Sequence, residues 1–234
     1  MADRQSGLLI IMAKQPRAGG VKTRLCPPLT PAQAQALYTA FLRDTIALVA
    51  EAARFAGVTP ALAYAPCAAE AYFRALVPAS FVLLPQQGAD LGERLNGLPG
   101  QARAAGFATA AMISSDSPTL PPALVARTFA ELARPGVDVV LGPCTDGGYY
   151  LIGLNAPQPA LFTGIAWSTA QVTAQTLAAA EEAGLRVALL PPWYDTDTAD
   201  DLARLRADLA ANPACAPHTR AVLAQPVRQA TAQL

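Results

Sequence analysis

Residues 8–24 read LLIIMAKQPRAGGVKTR, and this stretch decides the fold. Its first part, residues 8–13, is an uninterrupted apolar run of strand length, which is typical of a strand buried on both faces of a parallel sheet. Its second part, residues 14–24, is a glycine-rich and basic loop. A helix is expected next, because Thr30 and Gln33 form a capping box in front of an apolar stripe of helical period. A strand, a loop and a helix in this order predict the opening unit of an α/β protein.

The alternation of strand and helix patterns continues along the chain. Ser168 with Gln171 forms a second capping box, before a helix that Gly184 ends. Such alternation implies right-handed β-α-β crossovers and a three-layer α/β/α fold with a mostly parallel central sheet. We predict a single domain over residues 1–211 and a C-terminal tail over residues 212–234. Further strands are expected at 61–65, 81–84, 109–113, 137–141, 149–154 and 187–190, and further helices at 68–76 and from 91, 121 and 198 onward.

The loop after the first strand has the composition of a phosphate site. Gly19 and Gly20 let backbone N–H groups approach an anion closely. Arginine binds phosphate bidentately and lysine binds it as a point charge. The loop is not a Walker A motif, because Val21 precedes Lys22 and the first glycine of that pattern is absent. A solvated basic loop is the alternative interpretation. The basic residues concerned are Lys14, Arg17, Lys22 and Arg24.

Acidic residues follow several of the predicted strands, where ligands bind in α/β sheets. Asp116 comes directly after a buried strand, and Asp195 and Asp197 come after the last one. Magnesium is commonly held by one or two carboxylates together with phosphate oxygens and water, so these three acids predict a site for Mg²⁺ or Mn²⁺. Asp146 stands beside a glycine pair and is a candidate for substrate contact. Turn formation, helix capping and a plain hairpin are the structural alternatives for these acids.

Composition and charge exclude several classes of function. Lys plus Arg and Asp plus Glu both number 17, and the basic residues are scattered, so nucleic acid is not an expected partner. The single histidine, His218, and four widely spaced cysteines provide neither a Cys/His zinc site nor a Ser/His triad. The first apolar run is too short for a signal sequence or a membrane span, so we expect a cytoplasmic protein. A chain this apolar can still form a homo-oligomer.

Eight short motifs occur together in a recognisable order, and they resemble the DUF2064 family of GT-A-fold transferases, a family often labelled glycosyltransferases and linked to arsenosugar biosynthesis. The resemblance covers about residues 8–210. It implies a Rossmann-like nucleotide-diphospho-sugar transferase fold related to guanylyl- and cytidylyltransferases. The motifs are MAKQP at 12–16, GGVKTRL at 19–25, QG at 87–88, LGER at 91–94, SDSP at 115–118, TDGGYYL at 145–151, WST at 167–169 and DTDT at 195–198.

The resemblance also implies roles for individual residues. Lys22 and Arg24 would bind the nucleotide phosphates, and Asp116 would take the place of the metal-binding acid of the fold. Asp197, with Asp195, matches the acid motif near the end of related nucleotidyltransferases. Two further residues, Gln87 and Arg94, would line the base or sugar pocket. The candidate catalytic residues are Lys22, Asp116 and Asp146, and the candidate nucleotide-binding residues are Lys14, Gly19, Gly20, Lys22, Arg24, Gln87 and Arg94.

One departure from the glycosyltransferase pattern leaves the reaction open. Glycosyltransferases of this fold usually carry Asp-x-Asp at the strand end, whereas Ser114 stands here in the place of the first acid. The family favours a metal-dependent glycosyltransferase that uses a nucleotide-sugar donor. The basic loop favours a nucleotidyltransferase that joins a nucleoside triphosphate to a phosphorylated acceptor and releases pyrophosphate. A non-catalytic nucleotide-binding protein is the third hypothesis.

Overall fold

The structure is a computed structural model that describes residues 7–225, and its core is a single sheet. Its strands within this range are β1 (Gly7–Lys14), β2 (Thr59–Ala65), β3 (Val82–Pro85), β4 (Thr109–Ile113), β5 (Val139–Pro143), β6 (Tyr149–Leu154) and β7 (Val187–Leu189). They lie in the order β3-β2-β1-β4-β6-β5-β7. β6 runs antiparallel to β4 and β5, and the other neighbouring strands are parallel. The expectation of a mostly parallel sheet is therefore confirmed.

Helices cover both faces of the sheet, as in the predicted three-layer arrangement. β1 explains why: Leu9 and Ile11 face one layer while Leu8 and Ile10 face the other, and all four are fully buried. Successive side chains of a strand point to opposite faces, so a continuous apolar run needs cover on both sides. The α-helices are α1 (Pro31–Ala56), α2 (Glu70–Leu76), α3 (Leu91–Ala104), α4 (Pro122–Leu132), α5 (Val172–Glu182), α6 (Ala199–Ala211) and α7 (Pro217–Leu223).

The two layers have different helices and separate cores. Leu9 and Ile11 pack in the layer of α1, α2 and α4, and Leu8 and Ile10 pack in the layer of α3 and α5. A third cluster joins the loop after β1 to α1 and α6 through Leu25, Phe41, Leu205 and their neighbours. That third cluster fixes the basic loop against two helices, which matters for the site below.

The predicted capping box before α5 is wrong. Ser168 adopts a left-handed backbone conformation with φ 63°, and α5 begins only at Val172, where Gln171 caps with no side-chain bond. Thr169 takes the local role instead, because its hydroxyl accepts a hydrogen bond from the Gln171 N–H at 3.2 Å. The neighbouring Trp167 packs closely against Gly92 of α3, so the loop before α5 is held by a contact with a distant segment. The first capping box, at Thr30 and Gln33, is present as predicted.

Part of the predicted tail is helical. The backbone N–H groups of His218 and Thr219 at the start of α7 donate to the buried Asp44 carboxylate of α1, at 3.1 and 2.8 Å. Residues 226–234 of the tail lie outside the described range, and the boundary at residue 211 stays a prediction. Within residues 7–225 we find no helix that is both long and apolar enough to cross a bilayer.

Candidate active site

A large cavity opens at the carboxyl ends of β1 and β4, where the polar residues were expected to gather. Its volume is about 810 Å³, which is within the usual range for small-molecule sites. The loop after β1 forms one wall, and the start of α3 forms another. The third wall consists of the turn after β5, the first residues of β6 and the loop before α5. Thus the sheet order brings together segments that are far apart in the sequence.

Lys22 lies at the centre of a group of charges that we call the ionic cluster: Lys22, Arg24, Asp116, Asp195 and Asp197. The Lys22 Nζ is 2.7 Å from Asp116 Oδ1 and 2.8 Å from Asp197 Oδ1. Its side chain is only 4% exposed. Burial by itself would lower the pKa of Lys22, but the charges of Asp116 and Asp197 outweigh burial and hold the pKa above its ordinary value. Lys22 is therefore a fixed positive charge between two carboxylates.

The local fold of the basic loop explains how Lys22 reaches this position. Its backbone is left-handed with φ 49°, a conformation that costs a non-glycine residue about 1–2 kcal/mol. The flanking Val21 and Leu25 are buried in the third core cluster, so the packing of the loop holds the strained residue. The ammonium group then lies over the Phe41 ring of α1, 5.6 Å from its centroid.

Asp197 is anchored by cations on both of its oxygens. Oδ1 faces Lys22, and Oδ2 accepts from Arg24 Nη2 at 2.6 Å. Burial opposes ionisation, yet Lys22 above all, with Arg24, keeps the pKa of Asp197 below its ordinary value. The residue directly precedes Thr198, the N-cap of α6, whose capping box with Asp201 is present. Capping fixes this segment, and the ion pairs fix the carboxylate.

Asp195 has a different environment from its neighbour. Its Oδ1 accepts from Ser117 Oγ at 2.5 Å and from Ser114 Oγ at 3.3 Å. Burial, reinforced by the negative charge of Asp116, raises the pKa of Asp195 to about 7. The backbone N–H of Thr196 donates to the Asp116 carbonyl at 3.0 Å, which ties the two acidic loops together. Ser114, the residue in the place of an expected acid, therefore serves as a hydrogen-bond donor to an acid.

The opposite part of the cavity lies beside α3. We call it the α3 side; its polar members are Lys14, Gln86 and Arg94, and Leu91 and Trp167 are its large apolar members. A Cβ on Gly92 would stand 2.5 Å from Trp167 Nε1, so only glycine lets α3 approach this tryptophan. Apolar side chains of the α3 layer continue the surface inward: Met12, Leu95, Met112 and Ile152.

Asp146 lies on the wall formed by the turn between β5 and β6. Its Oδ1 accepts from the Gly148 N–H at 3.0 Å, and the side chain is exposed on the cavity wall. Gly147 has φ 91°, and a Cβ there would stand 2.2 Å from the Ala170 carbonyl oxygen. Close packing of this turn on the loop before α5 therefore requires glycine, and the same packing brings Asp146 to the cavity.

Most of the site residues predicted from the sequence meet at this cavity. Three do not line it: Arg17 and Gly19 of the basic loop and Gln87, all of which are exposed. The neighbouring Gln86 lines it instead, and no local pattern in the sequence separates these adjacent glutamines. Tyr38 was also missed; its hydroxyl bonds to Ser115 Oγ at 3.0 Å, and burial with the charge of Asp116 raises its pKa to about 12. The predicted residues that do line the cavity are Lys14, Gly20, Lys22, Arg24, Arg94, Asp116, Asp146, Asp195 and Asp197.

The donor set was tested for its fit to a metal ion. Within residues 7–225 no group of three or more His, Cys, Asp and Glu side chains is arranged as a ready-made metal site. Asp116 and Asp197 nevertheless lie side by side, since one oxygen of each lies within 2.8 Å of the same Lys22 ammonium group, and a metal ion would use their other oxygens or displace that contact. Two adjacent carboxylates with phosphate oxygens meet the needs of Mg²⁺, which rarely uses an all-protein cage. The residues therefore fit a divalent ion that binds together with a phosphorylated ligand.

The fold is that of the nucleotide-diphospho-sugar transferases. The family DUF2064, described as an uncharacterized protein conserved in bacteria, matches residues 48–169. A protein from Desulfovibrio desulfuricans G20, provisionally described as a nucleotide-diphospho-sugar transferase, is 32% identical over 93% of each chain, with a TM-score of 0.83. The chain belongs to the DUF2064 family. The predicted family, the predicted fold and the general class of transferase are confirmed by these matches.

Two more distant structures share the fold. One is CMP:2-keto-3-deoxy-manno-octonic acid synthetase in complex with CTP, which is 15% identical over 88% of this chain and 99% of its own, with a TM-score of 0.55. The other is glucosyl-3-phosphoglycerate synthase from Mycobacterium tuberculosis with Mn²⁺, UDP and glucosyl-3-phosphoglycerate. It is 12% identical over 94% of this chain and 78% of its own, with a TM-score of 0.52. A comparison with curated proteins gave no match.

Proposed function

We propose that this chain is a cytoplasmic, metal-dependent glycosyltransferase that binds a nucleotide-sugar donor in the cavity. The observation that carries the proposal is the position of Lys22. Its ammonium group is buried, is held between Asp116 and Asp197 and lines the cavity, and a fixed charge in this position suits a donor diphosphate. The 32% identical protein described as a nucleotide-diphospho-sugar transferase supports the same donor class.

The charge of the cavity supports the need for a metal ion. Four basic and four acidic side chains line it, so the wall has no net charge when all are ionised. A diphosphate would bring further negative charge next to Asp116 and Asp197, and like charges in a partly buried site repel. Mg²⁺ or Mn²⁺ held by Asp116 with Asp197 or Asp195 would remove this repulsion, and when bound it would stabilise the charge on the leaving diphosphate.

The chain's own residues would then orient the donor and receive the acceptor proton. Lys22 keeps its charge because of its raised pKa, and a buried fixed charge needs no reorganisation during the reaction. Arg24 is mostly exposed and can add a bidentate contact to the same phosphates. Among residues 7–225, the Asp146 side chain bonds only through Oδ1, to the Gly148 N–H, so Oδ2 is available to accept a proton from an acceptor hydroxyl.

A nucleotidyltransferase is the second candidate, and Ser114 favours it. The Asp-x-Asp pattern of glycosyltransferases is absent at the end of β4, since residue 114 is a serine. Its hydroxyl donates to Asp195 and contributes no carboxylate to the site. The basic loop could hold a triphosphate as well as a diphosphate. In that reaction an acceptor phosphate attacks the α-phosphate, and pyrophosphate leaves.

The released product separates these two reactions. Purified full-length chain with Mg²⁺ or Mn²⁺ would be incubated with nucleotide-sugars and, separately, with nucleoside triphosphates and phosphorylated acceptors. A nucleoside diphosphate as product identifies glycosyl transfer, and pyrophosphate identifies nucleotidyl transfer. Asp116→Asn should lower turnover at least about a hundredfold, since it removes a metal ligand and an ion pair. Asp200→Asn, at an exposed position in α6, is the matched control. Nucleotide binding without turnover on either panel would favour a non-catalytic protein.

A further inference from the structure

The chain contains only two lysines, Lys14 and Lys22, among 17 basic residues, and both line the cavity. They lie on different sides of it. Lys22 belongs to the ionic cluster beside α1 and α6. Lys14 follows Met12 on the same face of β1, because side chains two apart in a strand share a face, and Met12 packs in the α3 layer. Lys14 therefore belongs to the α3 side.

The cations on the α3 side differ from those of the ionic cluster in their partners. Lys22 and Arg24 both form ion pairs with aspartates. Lys14 and Arg94 form no ion pair with any residue between 7 and 225. A cavity wall with two cations and no neutralising carboxylate attracts anions, since low-dielectric walls strengthen the field of the charges. Among residues 7–225, the α3 side thus has two cations on the cavity wall and no carboxylate in an ion pair with either.

The Arg94 side chain is held in place by backbone carbonyls. Its Nε donates to the Gly88 oxygen at 3.0 Å, and Nη2 approaches the Ala89 oxygen at 3.4 Å. Of the five N–H donors of a guanidinium, three have no partner among residues 7–225. Gly88 has φ 127°, and a Cβ there would stand 2.6 Å from Glu93 Cβ. The loop therefore depends on glycine to present these carbonyls, and the carbonyls orient the arginine without neutralising it.

Gln86 adds a fixed hydrogen-bond acceptor to this side. Its Nε2 donates to the carbonyl oxygens of Ala13 and Ala63, at 2.9 and 2.8 Å. Both partners can only accept, so the amide nitrogen must face them and the orientation of the side chain is settled by chemistry. The carbonyl Oε1 accepts no bond from the described residues. A buried acceptor fixed in this way selects a ligand with an N–H or O–H donor.

We propose that the α3 side is a second anion subsite, separate from the ionic cluster, which binds a phosphorylated or carboxylated acceptor. Lys14 and Arg94 would hold the anionic group of this acceptor, in place of the nucleotide-binding roles that the resemblance implies for them, and Gln86 would accept a bond from a neighbouring hydroxyl or amino group. Leu91 and Trp167 provide apolar surface for the rest of the molecule. The inference rests on the proposed function in naming this ligand an acceptor, but the existence of the subsite can be tested without any nucleotide.

The test measures the binding of inorganic phosphate to the full-length chain. The readout is the increase in the thermal unfolding temperature with phosphate concentration at constant ionic strength. Arg94→Gln and Lys14→Gln should each weaken phosphate binding about tenfold, the equivalent of about 1.4 kcal/mol. Arg94→Lys should have a smaller effect, because it keeps the charge but loses the planar fork. Arg103→Gln is the matched control, since Arg103 is an exposed arginine in the last turn of the same helix. Lys22→Met should leave phosphate binding to the α3 side in place.

Several results would overturn the proposal. The first is a wild-type protein that binds neither phosphate nor acetate. The second is an Arg103→Gln variant whose phosphate binding is weakened as much as that of Arg94→Gln. The third is a loss of phosphate binding in Lys22→Met while Arg94→Gln keeps full binding. The last of these would mean that the ionic cluster is the one anion site. Acetate in place of phosphate distinguishes the two acceptor classes: preference for acetate with the same dependence on Arg94 identifies a carboxylated acceptor. Failure of nucleotide turnover would count against the proposed function alone.

Discussion

The ionic cluster and the α3 side line the same cavity, and each contains one of the two lysines. Lys22 is 4% exposed and faces two carboxylates within 2.8 Å. Lys14, eight residues earlier, is exposed and has no ion-pair partner among residues 7–225. Two lysines in one cavity therefore differ in burial and in ion pairing. Residue type and loop composition therefore do not define the role of a lysine, because the partners that the fold supplies decide whether its charge is compensated or available.

The largest contrast should be in stability. Lys22→Met leaves Asp116 and Asp197 facing each other without their shared cation, and loss of one partner of a buried ion pair costs on the order of 3 kcal/mol. Lys14→Met changes an exposed side chain and should stay within about 0.5 kcal/mol of the wild type. Urea unfolding of both variants measures the two values. Equal losses in the free energy of unfolding would mean that the ion pairs of Lys22 do not stabilise the fold.

Chemical reactivity should separate the two lysines further. An amine-reactive reagent modifies only the neutral amine, and each unit by which a pKa is raised reduces the neutral fraction tenfold. Because its pKa is raised and it is buried, Lys22 should react at least about ten times more slowly than Lys14. Peptide mass spectrometry after partial labelling gives both rates from one sample. Faster labelling of Lys22 would contradict the ion pairs.

A bound nucleotide should increase the difference in labelling rate between Lys22 and Lys14. If the diphosphate binds at the ionic cluster, the labelling rate of Lys22 falls further when a nucleotide and Mn²⁺ are present. Lys14 should be protected less by the nucleotide and more by phosphate. Protection of both lysines by each ligand alike would mean that the cavity has one anion site.

The smallest effect is expected from the loop that holds Arg94. Gly88→Ala forces a Cβ to within 2.6 Å of Glu93 Cβ at φ 127°, and we expect a loss of stability of about 1–2 kcal/mol. Gly184→Ala is the control, because its φ is 68° but nothing lies within 4 Å of the added atom. Gly88→Ala should also weaken phosphate binding, and Gly184→Ala should not. An equal effect of Gly88→Ala and Gly184→Ala on phosphate binding would mean that the loop at Gly88 does not contribute to the subsite.

The fold was predictable from the sequence because β1 is apolar throughout and the strand and helix patterns alternate. The capping box at Thr30 came out as expected. The failure at Ser168 has a physical reason. A capping pattern is local, whereas the loop before α5 is shaped by Trp167 against Gly92 and by Ala170 against Gly147. Such contacts between distant segments have no local signal.

The members of the candidate site were also largely predictable, but their pairing was not. Polar residues at strand ends pointed to the cavity, since parallel strands end at one edge. The sequence could not reveal that Lys22 would lie between Asp116 and Asp197, more than 90 residues away in each case. It also could not separate Gln86 from Gln87, because their roles depend on which amide reaches the carbonyls of Ala13 and Ala63.

The central claim is that Asp116 and Asp197 hold a divalent ion together with the phosphates of a nucleotide. Electron paramagnetic resonance of Mn²⁺ tests it most directly, since free Mn²⁺ gives a strong signal that is lost on binding. With a panel of nucleoside diphosphates, the account predicts one bound Mn²⁺ per chain in at least one ternary complex. Binding should be lost in Asp116→Asn and kept in Asp200→Asn. No Mn²⁺ binding with any nucleotide, or equal binding in Asp116→Asn, would contradict it.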